Sequence, residues 1–447
     1  VQNCSVTASG GAFTGIEDAS TNAALVVVIT GNEVTGNSSV ATNDFTGIYR
    51  SGATSTTTGT AVNLSSNLVQ NNTKSGAGTL YGIRLGNQPA AAVVTASSNT
   101  VNNNQITAAS GTLYALRLAA QGIRVSSGTP INITSNLIGN LTAPQASGGV
   151  AVIGIDLTSG TTNNVQYNTV YLNASSTSAT FGTAGIRFPT SGTQDFRNNL
   201  VVNTSTAGTA GFTVALRRAA SGTNGTPPST LSTTTDYNLY YAGAASASNL
   251  LYGEGTGTLT NPIQTLAAYK ALMGLLSPPR EQNAKAELPA TFTLATYFAS
   301  VVGTDAGFLH LGTAPTQAEA GGVEITGLTE DYDLPTARSG PYPITPTPSN
   351  GGGQNPDIGA DEGDYTPRDV TGPAIAYTLL GPGASSLPSR TLTATITDPS
   401  GVDVTMSGRP LIYFRKGTMG AFVSAPATSS MGNSYTFTIT YASVGGV

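Results

Sequence analysis

Charged residues recur at one position of a short motif in the first half of the chain. The motif is a small residue followed by an aliphatic one, as in Gly82-Ile83 and Gly185-Ile186, and the next residue is usually charged. A row of such cations could bind an anionic glycan or a partner chain, or it could only keep the surface soluble. This charged row, which we expect to face solvent, consists of Glu17, Tyr49, Arg84, Arg117, Asp156, Arg187 and Arg217.

The charged row lacks the groups that polysaccharide cleavage requires. Enzymes that cleave acidic polysaccharides need clustered carboxylates, which hold calcium or act as acid and base, beside an Arg or Lys. The row contains no carboxylate pair. We therefore predict no catalytic residue in it.

A second concentration of charge lies near residue 360. Five acidic residues fall within 13 positions, and Asp331 and Asp333 are nearby in sequence. Because Ca²⁺ takes several carboxylate and carbonyl oxygens, this segment is a candidate site for structural calcium, the one cofactor considered. Alternatively, it is a closing strand whose polar side chains bond to backbone, with the other acids solvated. The five residues are Asp357, Asp361, Glu362, Asp364 and Asp369.

Other reactive residue types are scarce. The chain has one histidine, His310, one cysteine, Cys4, and no tryptophan. Internal disulfides, cysteine-rich zinc sites, histidine clusters and most serine or cysteine triads are therefore excluded. We interpret Cys4 as a small buried apolar residue and His310, in the apolar GFLHL, as a packed or surface residue.

Net charge and hydropathy exclude two classes of partner. The net charge is −5, which gives no electrostatic reason to expect nucleic acid or an anionic membrane surface. The longest apolar run, 23–29, is far too short to span a bilayer, and no signal peptide is visible. We predict neither nucleic-acid binding nor membrane insertion.

The elements that must position these residues are repeats. An asparagine, an aliphatic residue two positions on and a second asparagine recur every 30 to 39 residues. Each period holds two further short segments rich in β-branched residues and bounded by turn residues, which predicts three strands and no helix per period. Six copies begin at Asn32, Asn67, Asn99, Asn136, Asn168 and Asn198, and a degraded copy begins at Tyr237.

Three strands in about 30 residues are typical of a parallel β-helix in which each period forms one coil. Asparagines at one corner then stack about 4.8 Å apart. Since an amide has both donors and an acceptor, the column can bond to itself and to buried turn backbone. Stacked like charges repel, which explains why only 9% of the residues are charged.

The first 262 residues resemble the right-handed, pectate-lyase-like β-helix repeats of large secreted bacterial surface proteins. Four downstream motifs resemble the segment that closes the β-helix in that family: LAAYKALMG at 266–274, REQNA, GFLHL at 307–311 and NPDIGADE at 355–362. The resemblance implies right-handed coils over 1–262, a cap over 263–367 and a bacterial extracellular location.

The cap segment also carries a helical pattern. The apolar spacing of Leu266, Tyr269, Leu272 and Met273 predicts one amphipathic helix of about three turns. Such a helix would cover the open end of the stack and its unpaired strand edges.

Residues 368–447 have a different pattern, with longer strands that alternate strictly, as in RTLTATITD and SYTFTITY. This alternation predicts an antiparallel β-sandwich, and the segment resembles the Ig-like modules that often follow such β-helices. Four clear strands fall short of the roughly seven that such a sandwich needs, so we expect an incomplete module. Both chain ends read as cut from a longer polypeptide.

These features favour a non-enzymatic extracellular protein of a bacterial cell surface, such as a stalk, an adhesin segment or a filament building block. The expected partners are other copies of the chain, other surface-protein modules and extracellular glycans. A strand from a neighbouring subunit could complete the sandwich. The alternatives are a polysaccharide lyase or glycoside hydrolase, and a glycan-binding module on the same scaffold.

Overall fold

The structure of the chain is a computed structural model with two compact units, Val1–Arg368 and Asp369–Val447. Among its described residues, no helix is long and apolar enough to cross a membrane. The described residues are 1–19, 26–50, 61–86, 93–108, 111–118, 130–333, 338, 355–368, 370, 372–381, 387–398, 401–405 and 408–445, with the backbone alone for 111–118 and 130.

The first unit is the predicted parallel β-helix, built from sheets that run along the stack of coils. The nine-stranded sheet consists, in spatial order, of Phe13–Asp18, Phe45–Arg50, Gly78–Leu85, Gly111–Leu118, Val152–Leu157, Thr183–Phe188, Thr213–Arg218, Asn249–Glu254 and the antiparallel Thr260–Ile263. The seven-stranded sheet consists of Leu239–Tyr241, Leu200–Asn203, Thr169–Leu172, Leu137–Gly139, Thr100–Asn102, Leu68–Gln70 and Glu33–Thr35. The six-stranded sheet consists of Thr193–Arg197, Thr162–Gln166, Pro130–Thr134, Val93–Ser97, Ala61–Ser65 and Val27–Thr30.

The first coils also contain a short fourth strand in addition to the three predicted ones. These strands form a four-stranded parallel sheet of Ser5–Val6, Ser38–Ser39, Thr73–Lys74 and Gln105–Ile106. Its presence coincides with a second asparagine ladder, in which the amides of Asn37, Asn72 and Asn104 bond in sequence at 3.0 and 2.8 Å. The second asparagine of the sequence motif therefore has a structural role at its own corner.

Close packing inside the coil limits the size of the small residue in the small-aliphatic motif of the nine-stranded sheet. A Cβ atom on Gly185 would lie 2.2 Å from Val201 Cγ1 and 2.7 Å from the Ala215 carbonyl oxygen. Even the methyl group of an alanine at this position would therefore collide with the facing sheet and with the next coil. This contact explains why the motif pairs a small residue with an aliphatic one.

The predicted asparagine ladder is present. Each amide Nδ2 donates to the Oδ1 of the next asparagine at 2.8 to 3.0 Å, and the backbone N–H of each donates to the same oxygen. The second hydrogen of Nδ2 bonds to a backbone carbonyl, as from Asn136 to Ala96 at 2.9 Å. The members are Asn32, Asn67, Asn99, Asn136, Asn168, Asn199 and Asn238.

One predicted member of the ladder was wrong. Asn198 lies one residue before the ladder, at a position where the chain turns with a φ of 57°, and Asn199 occupies the ladder position. The same left-handed conformation precedes other ladder residues, as at Ser135 with a φ of 53°. Asparagine tolerates this conformation better than most residues. From sequence alone, either Asn198 or Asn199 could therefore be the ladder residue.

The ladder ends on a carboxyl group instead of another amide. Asn238 Nδ2 donates to Glu281 Oε1 at 3.1 Å, and the hydroxyls of Tyr240 and Tyr269 donate to the same oxygen at 2.8 and 3.1 Å. Tyr269 belongs to α1 (Leu266–Met273), the predicted helix, whose buried residues are Tyr269, Leu272 and Met273. The fully buried Tyr269 and Met273 pack against the core of the coils, so α1 closes this end of the stack.

Residues up to Ala286 join α1 at this end of the stack, but the rest of the 263–367 segment lies elsewhere. Its described residues from 292 to 365, here called the strap, lie against the outer face of the seven-stranded sheet and include a second, four-residue helix, α2 (Leu294–Tyr297). Phe298, for example, packs on Tyr171 with ring centroids 5.8 Å apart. Six outward side chains of this sheet are apolar and need cover, which explains the placement. They are Leu137, Tyr171, Leu200, Val202, Leu239 and Tyr241.

The second unit is one antiparallel sheet. Its alternation is as predicted, because Ala394, Ile396, Tyr435 and Phe437 form a buried cluster. A facing second sheet is not found among the described residues, so an Ig-like sandwich stays a prediction. The strands, in spatial order, are Ala374–Tyr377, Ser389–Thr397, Ser434–Thr440, Val423–Met431 and Leu411–Phe414, and a short 3₁₀ helix follows at Tyr441–Val444.

Candidate functional site

The strand register brings the seven residues of the charged row into line across the nine-stranded sheet. The expectation that the row faces solvent is wrong for Asp156 and Arg217, both of which are 0% exposed. The carbonyls of Gly149 and Gly255, outside the strands of the sheet, bond to Arg217, and the side chain of Arg187 bonds to Asp156. The side chain of Arg117 lies outside the described residues.

The described arginines of the row bond within the chain. Arg187 holds Asp156 through two bonds, Nε to Oδ1 at 2.8 Å and Nη2 to Oδ2 at 3.3 Å. Arg217 donates to two backbone carbonyls, and burial, followed by the charge of Arg187, lowers its pKa to about 10. Arg84 pairs with Asp44 at 3.2 Å and lies over the Tyr49 ring at 5.0 Å. These cations already have intramolecular partners.

Three acidic residues of the strap come together as a candidate metal centre. Asp331, Asp333 and Asp361 each place one carboxylate oxygen within 4.8 Å of the others. Asp331 and Asp361 are buried, and Asp333 is exposed. Carboxylate oxygens at this spacing suit Ca²⁺ chemically. Chain donors already occupy some of them, since Asp361 Oδ2 accepts the Tyr365 hydroxyl.

The structure separates the other calcium candidates from this trio. The two oxygens of Asp357 accept the backbone N–H groups of Ala320 and Gly363, at 2.7 and 3.0 Å. Glu362 forms an ion pair with Arg338 at 3.1 Å. Asp357 and Glu362 therefore match the alternative interpretation, in which acidic side chains bond to the closing segment itself. Asp364 is exposed, and Asp369 lies outside the described residues.

His310 and a groove adjoin the acidic residues. His310 Nδ1 lies 3.7 Å from Asp361 Oδ1, so the histidine is packed beside an acid. The groove, of about 590 Å³, is lined by Phe298, Leu311, Asp364 and Tyr365 together with threonine hydroxyls. Cys4, expected to be buried, is exposed.

Asn198 has a different role from the predicted one, since it fastens the strap to the coils. Its Nδ2 donates to the Val323 carbonyl at 2.7 Å, and the Val323 N–H donates back to its Oδ1 at 3.0 Å. Its own carbonyl accepts the Gly359 N–H at 2.9 Å. The signal in the sequence was the asparagine doublet, in which one member is surplus to the ladder.

Replacement of Asn198 by alanine is expected to loosen the strap by about 1 to 2 kcal/mol, because two strap bonds are lost. Hydrogen exchange at 320–324 measures the change. Asn103→Ala is the matched control, since Asn103 has a similar φ of 47° but is exposed, away from the strap bonds. Equal loss of strap protection in both variants would attribute the effect to backbone strain instead.

Sequence reasoning missed Glu281 and Glu319, two buried acids of the closing segment. They lie outside the repeats, so no periodic signal marked them.

None of the protein families, curated proteins or solved structures compared with the chain matches it.

Proposed function

We propose that the chain is a non-enzymatic structural or adhesive protein of a bacterial cell surface, in which the β-helix is a stiff rod. One observation carries the proposal: the groups that could do chemistry on the coils are used to hold the coils together. Arg187 binds Asp156 of the preceding coil, and Arg217 binds backbone carbonyls. The seven strands of the seven-stranded sheet, about 4.8 Å apart, give a rod of roughly 30 Å.

The rod would derive its stiffness from bonds between successive coils. Each coil bonds to the next through its parallel sheets and through the asparagine ladder. In such solenoids the stability is a sum of contacts between neighbouring repeats, which suits a spacer or a filament unit. The resemblance to right-handed β-helices of secreted surface proteins also supports an extracellular location.

The second unit supports an assembly role within the same proposal. Its two outer strands expose large apolar side chains, as at Ile375, which is 59% exposed, and Tyr413, which is 63% exposed. An added strand from another copy, or from another surface module, would pair with such an edge and cover these residues. Completion of an Ig-like sandwich in this way would make the unit a joint between rods.

Two measurements on the purified chain test the proposal. Negative-stain electron microscopy is expected to show rods or fibres. Incubation with polygalacturonate is expected to yield no unsaturated product by ultraviolet absorbance. Lyase turnover by a monodisperse globular species would overturn the proposal.

The acidic trio of the strap favours a second candidate, a glycoside hydrolase or a polysaccharide lyase. Its oxygens lie within 4.8 Å of one another, close to the spacing of about 5 Å between the carboxyls of retaining glycosidases. Asp333→Asn removes the exposed carboxylate of the trio, and Asp364→Asn, which changes an acid outside the trio, is its control. We expect no turnover of neutral or acidic polysaccharides by the wild type. Turnover abolished by Asp333→Asn alone would establish this candidate instead.

A further inference from the structure

Two buried carboxyl groups meet between the two halves of the strap. Glu319 is 4% exposed and Asp357 is 1% exposed, and their side chains are within hydrogen-bonding reach of each other. Glu319 precedes Ala320, whose N–H binds Asp357, and Glu319 Oε2 accepts the Tyr365 N–H at 3.0 Å. The pair thus joins the segments around 316–322 and 356–366.

The contact between these carboxyls requires a proton. Both oxygens of Asp357 already accept backbone N–H groups, and Glu319 Oε1 has no donor among the described residues. Two carboxylates offer only acceptors, so a hydrogen bond between them exists only while one is protonated.

The surrounding charges oppose a second negative charge on the pair. Glu362 and Asp364 face Glu319, and Glu362 also faces Asp357. Of the described cations in this region, Arg338 is paired with Glu362 at 3.1 Å, and Lys285 donates to the Gly321 carbonyl at 2.8 Å. Asp331 accepts the Glu362 N–H at 3.3 Å, which places a further acid behind it.

We propose that Glu319 and Asp357 form a proton-dependent clasp, which holds the segments around 316–322 and 356–366 together while they share a proton and lets them part when that proton is lost. Both segments contribute to the cover of the seven-stranded sheet, through Ala318, Ile358 and Ala360, so their separation would loosen that cover. The exposure of an adhesive surface would then depend on the pH around the protein.

The direction of the dependence follows from the pKa shifts. Burial, the largest cause, raises the pKa of Glu319 to about 7. Burial and then the charges of Glu362 and Glu319 raise the pKa of Asp357. The pKa of Glu319 is thus higher when the clasp is closed than when it is open. The clasp therefore contributes its full stability below the open-state pKa and loses that stability as the pH rises through about 7.

Hydrogen exchange of the whole chain, corrected for intrinsic rates, tests the clasp. Between about pH 5.5 and about pH 8.5, protection at 316–323 and 355–366 is expected to fall about 30-fold in the wild type. Glu319→Gln, which supplies a permanent donor, should make protection independent of pH. Glu324→Gln, an exposed change in the same segment, should behave as the wild type.

A second measurement does not depend on the folding of Glu319→Gln. Infrared difference spectra between about pH 6 and about pH 8.5 should show the loss of a protonated carboxyl band in the wild type and also in Glu281→Gln, which removes the other buried carboxyl that titrates in this range. Wild-type protection or a carboxyl band that does not change over this range would overturn the clasp. So would a fall in the protection of Glu319→Gln equal to that of the wild type.

Discussion

Replacement of Asn136 by alanine is expected to lower the free energy of unfolding by about 3 to 5 kcal/mol. Its amide makes four hydrogen bonds, which is all that an amide can make: Oδ1 accepts two from Asn99, and Nδ2 donates to Ala96 and Asn168. The residue is 1% exposed, so water cannot replace these bonds. Each buried group left without a partner costs about 1 to 3 kcal/mol. Urea unfolding followed by circular dichroism measures the loss.

Asn132→Ala is the matched control for the ladder. Asn132 lies four residues away, is half-buried on the outer face and has one amide partner, Asn164 at 2.9 Å. Its removal is expected to lower the free energy of unfolding by less than about 1 kcal/mol. If both variants lose the same stability, the ladder is not a principal source of stability in the stack.

Replacement of Glu281 by alanine is expected to destabilise the closed end by a similar amount, about 3 to 5 kcal/mol. The change leaves the buried hydroxyls of Tyr240 and Tyr269 without this acceptor and removes one acceptor of Asn238 Nδ2, which keeps the Phe196 carbonyl at 2.8 Å. Thermal unfolding is the measurement, with hydrogen exchange of α1 to locate the effect. Glu324→Ala, at an exposed site, is the control and should be neutral within about 0.5 kcal/mol.

The same carboxyl group should make stability depend on pH. Burial is the largest cause that raises its pKa, to about 8, and the charge of Asp236 also raises it, while bonds from Tyr240, Asn238 and Tyr269 act in the opposite direction. Because the folded pKa exceeds the unfolded one, its contribution is fully present below about pH 4.5 and is lost as the pH rises through about 8, at about 1.4 kcal/mol per unit. The difference between wild type and Glu281→Gln over this range isolates the dependence. A constant difference would contradict it.

Much of the coil was predictable because repetition multiplies weak signals. The asparagine hexamer, the small-aliphatic motif and the low charge recur in each period, and all three correspond to stacked positions. The register of the doublet at 198–199 was not predictable, since either asparagine satisfies the motif and the left-handed turn at Asn198 is decided by the fold. The burial of Asp156 and Arg217 was also missed, because strand alternation predicts the direction of a side chain and not which other groups cover it.

The candidate sites were likewise predictable only in part. Local sequence indicated that acidic residues cluster near 360, but only the fold brought Asp361 to Asp331 and Asp333 and tied Asp357 to Glu319. These contacts join residues about 30 or more positions apart in an irregular segment. Because the sequence of this segment has no repeat, the path of its chain could not be predicted.

The sequence by itself determined the parallel coils, the asparagine ladder, the closing helix and the alternation of the second unit, because each follows from a periodic pattern of side chains. Only the tertiary structure decided where the strap lies, that Glu281 ends the ladder and that two carboxyls share a buried site. Burial is the physical reason. The sequence does not show whether water or apolar side chains surround a carboxyl group. Its pKa and its partners are determined only when the folded chain buries it.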